Sequence, residues 1–130
     1  MADAPGHRVR THSRAAAARG IGALEAVSGR GSYGVSHQKF TFRFDDGRFR
    51  LIGYDTWEFS RSSGDGSSVS VNFLTGQRKT TTGQNDFKPA QPRISWDRIP
   101  VRDRFLLDEI SLDCIEPETR ACAWLRYAAP

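Results

Sequence analysis

A pair of aromatic-rich segments joined by an Asp-Gly dipeptide constrains the fold of this chain more than any other feature. Phe40, Phe42 and Phe44 alternate with polar residues, so their rings share one face of a β-strand. Asp46-Gly47 follows, and this dipeptide favours a two-residue type I′ turn because both turn positions need positive φ. The sequence therefore predicts a β-hairpin that begins near Phe40.

The register of this hairpin follows from its apolar residues. A two-residue turn places Phe44 opposite Phe49 and Phe42 opposite Leu51, which makes the apolar face continuous across both strands. A three-residue turn would instead place Phe44 against Arg48 and scatter the apolar face. The two-residue register is therefore favoured.

The return strand of the hairpin does not keep a single phase of alternation. Phe49 and Leu51 are in phase with Trp57, whereas Tyr54 is out of phase with them. Gly53 lies where the pattern changes, and a bulge or bend at this glycine is the simplest explanation.

Further alternating segments extend the hairpin into a meander. Besides the return strand, strands are predicted over residues 32–44, 69–73, 78–82 and 94–99, with loops rich in Gly, Ser or Pro at 60–68 and 84–93. The predicted fold class is therefore mainly β, an antiparallel meander of about five strands with a disordered or weakly helical N-terminus.

Residues 1–30 differ in composition from the rest, since Ala, Arg and Gly dominate and no aromatic residue occurs. The run RAAAAR at 14–19 suits a short helix, and Ile21, Leu24 and Val27 form a weak helical stripe. Three interpretations stay open: a basic arm, a disordered tail, and a mis-annotated segment encoded by an out-of-frame upstream start. The expected organisation is such a tail over 1–30 and a small antiparallel β domain over 31–130, which can be a fragment of a larger one.

The charge distribution argues against a nucleic-acid partner. The net charge is +4 and the isoelectric point is near 9.5, but residues 1–30 hold five Arg against two acids. The remaining fourteen Lys and Arg face thirteen acids, so the β region is nearly neutral and lacks a concentrated basic patch. No run approaches the roughly 20 apolar residues of a membrane span, and no secretory signal is present. As written, the chain is expected in the cytoplasm.

The sequence predicts no catalytic residue, no metal site and no cofactor. His37 has no Cys or carboxylate at ligand spacing, which favours a surface or core histidine. The Asp-Gly segments at 45–47 and 64–66 lack the ligand pattern of a calcium loop and read as turns. The acidic pairs at 108–109 and 116–118 keep a hydrolase-type or ligand-modifying domain as the alternative, although solvated surface acids explain them.

Three aromatic residues are the candidates for a ligand surface. Tyr54, Trp57 and Trp96 carry amphipathic rings that can stack on sugars or peptides from an antiparallel sheet. The alternative is that they fill the core of a small sheet.

Two cysteines bracket seven residues near the C-terminus. In an oxidising compartment, Cys114 and Cys122 can form a disulfide that closes a small loop. In the cytoplasm they are expected as two free thiols. The spacing alone does not decide between these states.

Two segments of the β region resemble a family of uncharacterised bacterial exported proteins. TFRFDDGRFRLIGYD at 41–55 is similar to that family's hairpin Y.FRYQNGRFELIGYD, and SVNFLTGQRKTTTG at 70–83 is similar to its S.NFLTGKKKTTTG. The resemblance covers about residues 32–99. It implies a periplasmic location and a non-catalytic structural or binding module of a cell-envelope protein, and it assigns no catalytic residues.

The chain also departs from that family. Its members carry an FG-GAP-like DLNGDG stretch upstream of the β region, and this chain has neither that stretch nor a signal peptide. The resemblance therefore implies the C-terminal half of such a protein. Because a single sheet with one apolar face needs a cover, the expected partners are a second copy or the absent N-terminal half, through the sheet face or edge.

Overall fold

The computed structural model describes residues 8–12, 21–30, 34–100 and 104–128. These residues form one antiparallel sheet whose strands lie in chain order, followed by a short 3-10 helix at Arg120–Tyr127. The strands are β1 Arg8–His12, β2 Ile21–Arg30, β3 Gly34–Asp45, β4 Arg48–Ser60, β5 Asp65–Asn72, β6 Gln77–Asn85 and β7 Arg93–Arg98. The predicted mainly β antiparallel meander is confirmed.

Residues 8–12 and 21–30 extend the sheet, whereas the sequence led us to expect a disordered or weakly helical N-terminus there. β1 pairs with β2, and β2 pairs with β3 from Ile21↔Arg43 to Arg30↔Gly34, across the expected boundary at residue 30. Residues 21–30 form a strand and not a helix because β3 is long and pairs with β4 on one side only. Without β2, the backbone groups on the other side of β3 would lack partners. The helix expected over 14–19 lies outside the described residues.

The central hairpin adopts the predicted turn and register. Asp46 and Gly47 have φ of 52° and 79°, which are the positive angles that a type I′ turn requires. Phe44 pairs with Phe49, and Phe42 pairs with Leu51. The apolar alternation therefore determined this register correctly.

A bulge interrupts the same strand pair one residue before the predicted position. Phe42 pairs with Leu51 but Thr41 pairs with Gly53, so Ile52 is the extra residue. A single inserted residue reverses which side chains face the core. Tyr54 consequently joins the core face, whereas Trp57, which the sequence placed in phase with Leu51, lies on the opposite face.

The C-terminal segment 104–128 covers the core face of the sheet. Leu51 N–H donates to Phe105 O at 2.7 Å, and Leu107 N–H donates to Phe49 O at 2.9 Å, and these bonds anchor the start of this segment beside β4 as an antiparallel bridge. Trp124 is fully buried against the sheet. The core consists of Phe40, Phe42, Leu51, Tyr54, Val71, Phe73, Ile99, Phe105, Trp124 and Ala128. The cover that the sequence left open is thus supplied by the chain itself.

Cys114 and Cys122 form a disulfide within this covering segment, with their Cα atoms 5.6 Å apart. Ser111 N–H donates to Ala121 O at 2.9 Å beside the disulfide, and Ser111 O accepts the Trp124 Nε1–H at 2.7 Å. The disulfide therefore closes the loop that positions Trp124. Within the described part of the chain, no helix has the length and apolar character needed to cross a membrane.

Candidate functional site

The sheet face opposite the core, called here the polar face, carries a cross-strand row of functional side chains. Pairing in β3 to β7 places Lys39, Asp55, Ser70, Lys79 and Trp96 side by side, one from each strand. Directly opposed residues of an antiparallel sheet share a face and lie close together. Chain segments far apart in sequence thus present two ammonium groups, a carboxylate, a hydroxyl and an indole to one surface.

A second row runs beside the first and is centred on Trp57. His37, Trp57, Ser68, Thr81 and Ile94 occupy successive strands in this row. The Trp57 indole stacks on the His37 ring with centroids 5.1 Å apart and planes 25° apart, and it remains 38% exposed. Stacking on His37 orients the indole while leaving part of it open to a ligand.

A cavity of about 590 Å³ opens on the polar face between these rows. Its volume is in the range of small-molecule sites. Side chains of both rows contribute to its wall, together with residues from the ends of β4 to β6. The lining residues used below are Lys39, Asp55, Trp57, Ser70 and Lys79.

Hydrogen bonding and charge orient the first row. Ser70 Oγ–H donates to Asp55 Oδ1 at 2.6 Å, which leaves the remaining acceptor sites of this carboxylate for other donors. Lys79 Nζ lies 5.7 Å from the centroid of the Trp96 ring, a cation–π distance. The arrangement can accept and donate hydrogen bonds beside an aromatic surface.

The structure separates the three aromatic candidates. Tyr54 is only 2% exposed and its hydroxyl accepts from Gln38 Nε2–H at 2.9 Å, so Tyr54 lies in the core and not on the polar face. Trp57 and Trp96 both lie on the polar face, three strand spacings or roughly 14 Å apart across the sheet. The bulge at Ile52 is the physical reason for the different position of Tyr54.

Sequence reasoning missed Lys39, Asp55, Ser70 and Lys79. The alternation of side chains along each strand is the signal that could have found them. Lys39 is adjacent to Phe40 and Asp55 is adjacent to the buried Tyr54, so both lie on the face opposite the core. Using that signal requires the bulge position and the register of five strands.

Two of the acidic segments that raised other possibilities, at 64–66 and 108–109, have structural partners. Asp108 and Glu109 contact Arg48 Nη2 at 2.6 and 3.4 Å, and the hydrogen bond that Arg48 donates to Asp108 is the main reason that the pKa of Arg48 is raised. Asp65 accepts from Asn85 Nδ2–H at 2.9 Å, and hydrogen bonds, first from Asn85, lower the pKa of Asp65. Among the described residues, no three His, Cys, Asp or Glu side chains group as a metal ion would require.

Comparisons of this chain with protein-family models, with curated proteins and with solved structures find no match. The fold and the site therefore define the class of protein: an antiparallel β-meander with one face covered by its own disulfide-closed C-terminal segment and one polar face that carries a cavity.

Proposed function

We propose that this chain is a non-catalytic binding module of a bacterial cell-envelope protein, and that its ligand occupies the cavity beside Trp57. The observation that carries the proposal is the half-exposed indole of Trp57 next to the Ser70–Asp55 hydrogen bond, on a face that the core does not use. A surface aromatic residue with adjacent polar groups is typical of recognition rather than of packing.

The chemistry of the cavity favours a saccharide as the ligand. A sugar ring presents an apolar C–H face that can stack on the Trp57 indole, and its hydroxyl groups can pair with both kinds of polar group in the wall. Asp55 accepts hydrogen bonds, whereas Lys39 and Lys79 donate them. A purely apolar ligand would leave these groups desolvated without partners, which costs free energy.

Two observations support the cell-envelope location. Disulfides persist in oxidising compartments such as the periplasm, and Cys114 is bonded to Cys122. The hairpins at 41–55 and 70–83 resemble those of exported bacterial proteins. Intact mass of the protein isolated from its own cells, before and after reduction, tests the location: free thiols in the native protein would contradict it.

Titration with soluble glycan-strand fragments of bacterial peptidoglycan, followed by calorimetry, tests the binding function. We expect Trp57→Ala to weaken binding at least about tenfold, equivalent to about 1.4 kcal/mol. Ile115→Ala is the matched control, since Ile115 is exposed in the disulfide-closed loop, away from the polar face. Equal affinities of the two variants, or no binding to any fragment, would contradict the proposal. Hydrolysis of the fragments would support the hydrolase alternative.

A further inference from the structure

Strand β7 forms one edge of the sheet, and every residue in it is exposed. Pro92 precedes the strand and Pro100 follows it, so the free edge has a defined length. On the polar face this edge exposes Ile94 and Trp96, at 56% and 63%. An edge strand with exposed apolar side chains is a template for pairing with another strand.

One hydrogen bond shows which backbone groups of β7 point away from β6. Ile99 N–H donates to Gly76 O at 2.8 Å, immediately beyond the last pair of β6 with β7, Gln77↔Arg98. Because hydrogen-bonded pairs alternate along an antiparallel ladder, Ile94 and Trp96 direct their own N–H and C=O groups away from β6. These two residues can therefore exchange hydrogen bonds with an added strand.

We propose that β7 pairs antiparallel with β7 of a second copy of this chain, with the two-fold axis at Ser95. This register places Arg93 opposite Asp97 of the second copy and Ile94 opposite Trp96 of the second copy, each pair occurring twice. Unlike charges then meet on one face and apolar side chains meet on the other, and both kinds of pair stabilise adjacent strands. The strand is complementary to itself in this register.

Neighbouring two-fold registers lack this complementarity. Centring the axis on Asp97 places two carboxylates opposite each other, and centring it on Trp96 places Arg98 against Ile94. Centring it on Ile94 brings Pro92 opposite Trp96, and proline has no N–H to donate. Only the register at Ser95 pairs Arg93 with Asp97, whose carboxylate already accepts from Arg78 Nε at 2.9 Å.

The proposed pairing joins the polar faces of two copies. Residues opposed in an antiparallel pair share a face, so Trp96 of each copy lies beside Ile94 of the other on the side that carries the cavities. The result is one continuous sheet with two cavities on one surface. Because six residues make an edge much smaller than a standard interface of roughly 1,600 Å², this dimer dissociates on dilution.

A cysteine placed on the two-fold axis tests the register. In Ser95→Cys the two thiols face each other across a non-hydrogen-bonded pair, where Cα atoms are about 4.5 Å apart, within the range of a disulfide. With oxidised glutathione as the oxidant, we expect a covalent dimer whose cross-link maps to residue 95. Ser62→Cys, an exposed serine in the β4–β5 loop, is the matched control and should remain mainly monomeric. Equal cross-linking of both variants would overturn the proposal.

Sedimentation velocity over a hundredfold range of concentration tests the pairing without cross-linking. We expect the unmodified chain to shift toward dimer as concentration rises, and Ile94→Pro to stay monomeric because its outward N–H is lost while pairing with β6 is kept. Ile94→Ala, which retains the N–H, should dimerise more weakly than the unmodified chain but measurably. Unchanged circular dichroism of each variant establishes that it is folded. A monomeric unmodified chain at every concentration would overturn the proposal, whatever the outcome of saccharide binding.

Discussion

Trp124 provides a direct test of the distinction between a covered face and an open face. Its ring centroid lies 5.0 Å from those of Phe40 and Tyr54, and its Nε1–H donates to Ser111 O at 2.7 Å. Trp124→Ala removes these contacts and leaves a cavity, which costs about 3–5 kcal/mol for a large buried aromatic residue. Trp57→Ala is the matched control, because the same side chain is partly exposed on the polar face and its loss should cost about 1 kcal/mol.

Urea denaturation of the oxidised protein, followed by circular dichroism, measures both changes. With a denaturant dependence of about 2 kcal/mol/M, Trp124→Ala lowers the midpoint by about 2 M and Trp57→Ala lowers it by about 0.5 M. Trp124→Phe keeps an aromatic ring but leaves Ser111 O without its donor, so its midpoint should fall between the two. Equal midpoints for the two alanine variants would refute the assignment of the two faces.

Three further changes test other parts of the fold. Replacing Cys114 and Cys122 by serine should lower the free energy of unfolding by about 2.5 kcal/mol, since the closed loop is short; a melting temperature that does not respond to reductant would contradict this. The hydrogen bond from Arg78 lowers the pKa of Asp97, so its stabilisation is complete above the ordinary carboxyl pKa and is lost as pH falls through the lowered value. Stability measured against pH should therefore decline less in acid for Asp97→Asn than for the unmodified chain. Gly47→Ala should cost about 1–2 kcal/mol through backbone strain alone, because φ is +79° and no atom lies within 4 Å of the added methyl group; an unchanged midpoint would argue against the type I′ turn.

The central hairpin shows how much of the fold local pattern can predict. The alternation of Phe40, Phe42 and Phe44 and the Asp46-Gly47 turn act between residues close in sequence, so they specify strands, turn and register together. The segment 21–30 has only a weak helical stripe of Ile21, Leu24 and Val27 and carries no such pattern. Its strand forms because β3 offers it an edge, and that edge exists only in the folded sheet.

Local sequence pattern predicts much less of the candidate site than of the central hairpin. Trp57 and Trp96 can be selected from the sequence as amphipathic residues, but Lys39, Asp55 and Lys79 cannot, because their proximity depends on the register of several strand pairs at once.

The sequence alone determined that this chain forms an antiparallel meander, where its central turn lies, and that a cysteine pair can close its C-terminal loop. Tertiary structure decided which face each aromatic residue occupies. The extra residue Ile52 reverses the alternation within β4, which buries Tyr54 beneath Trp124 and turns Trp57 toward solvent. Side chains alternate with a period of two, so a one-residue shift exchanges the faces completely, and only pairing with β3 determines where that shift occurs.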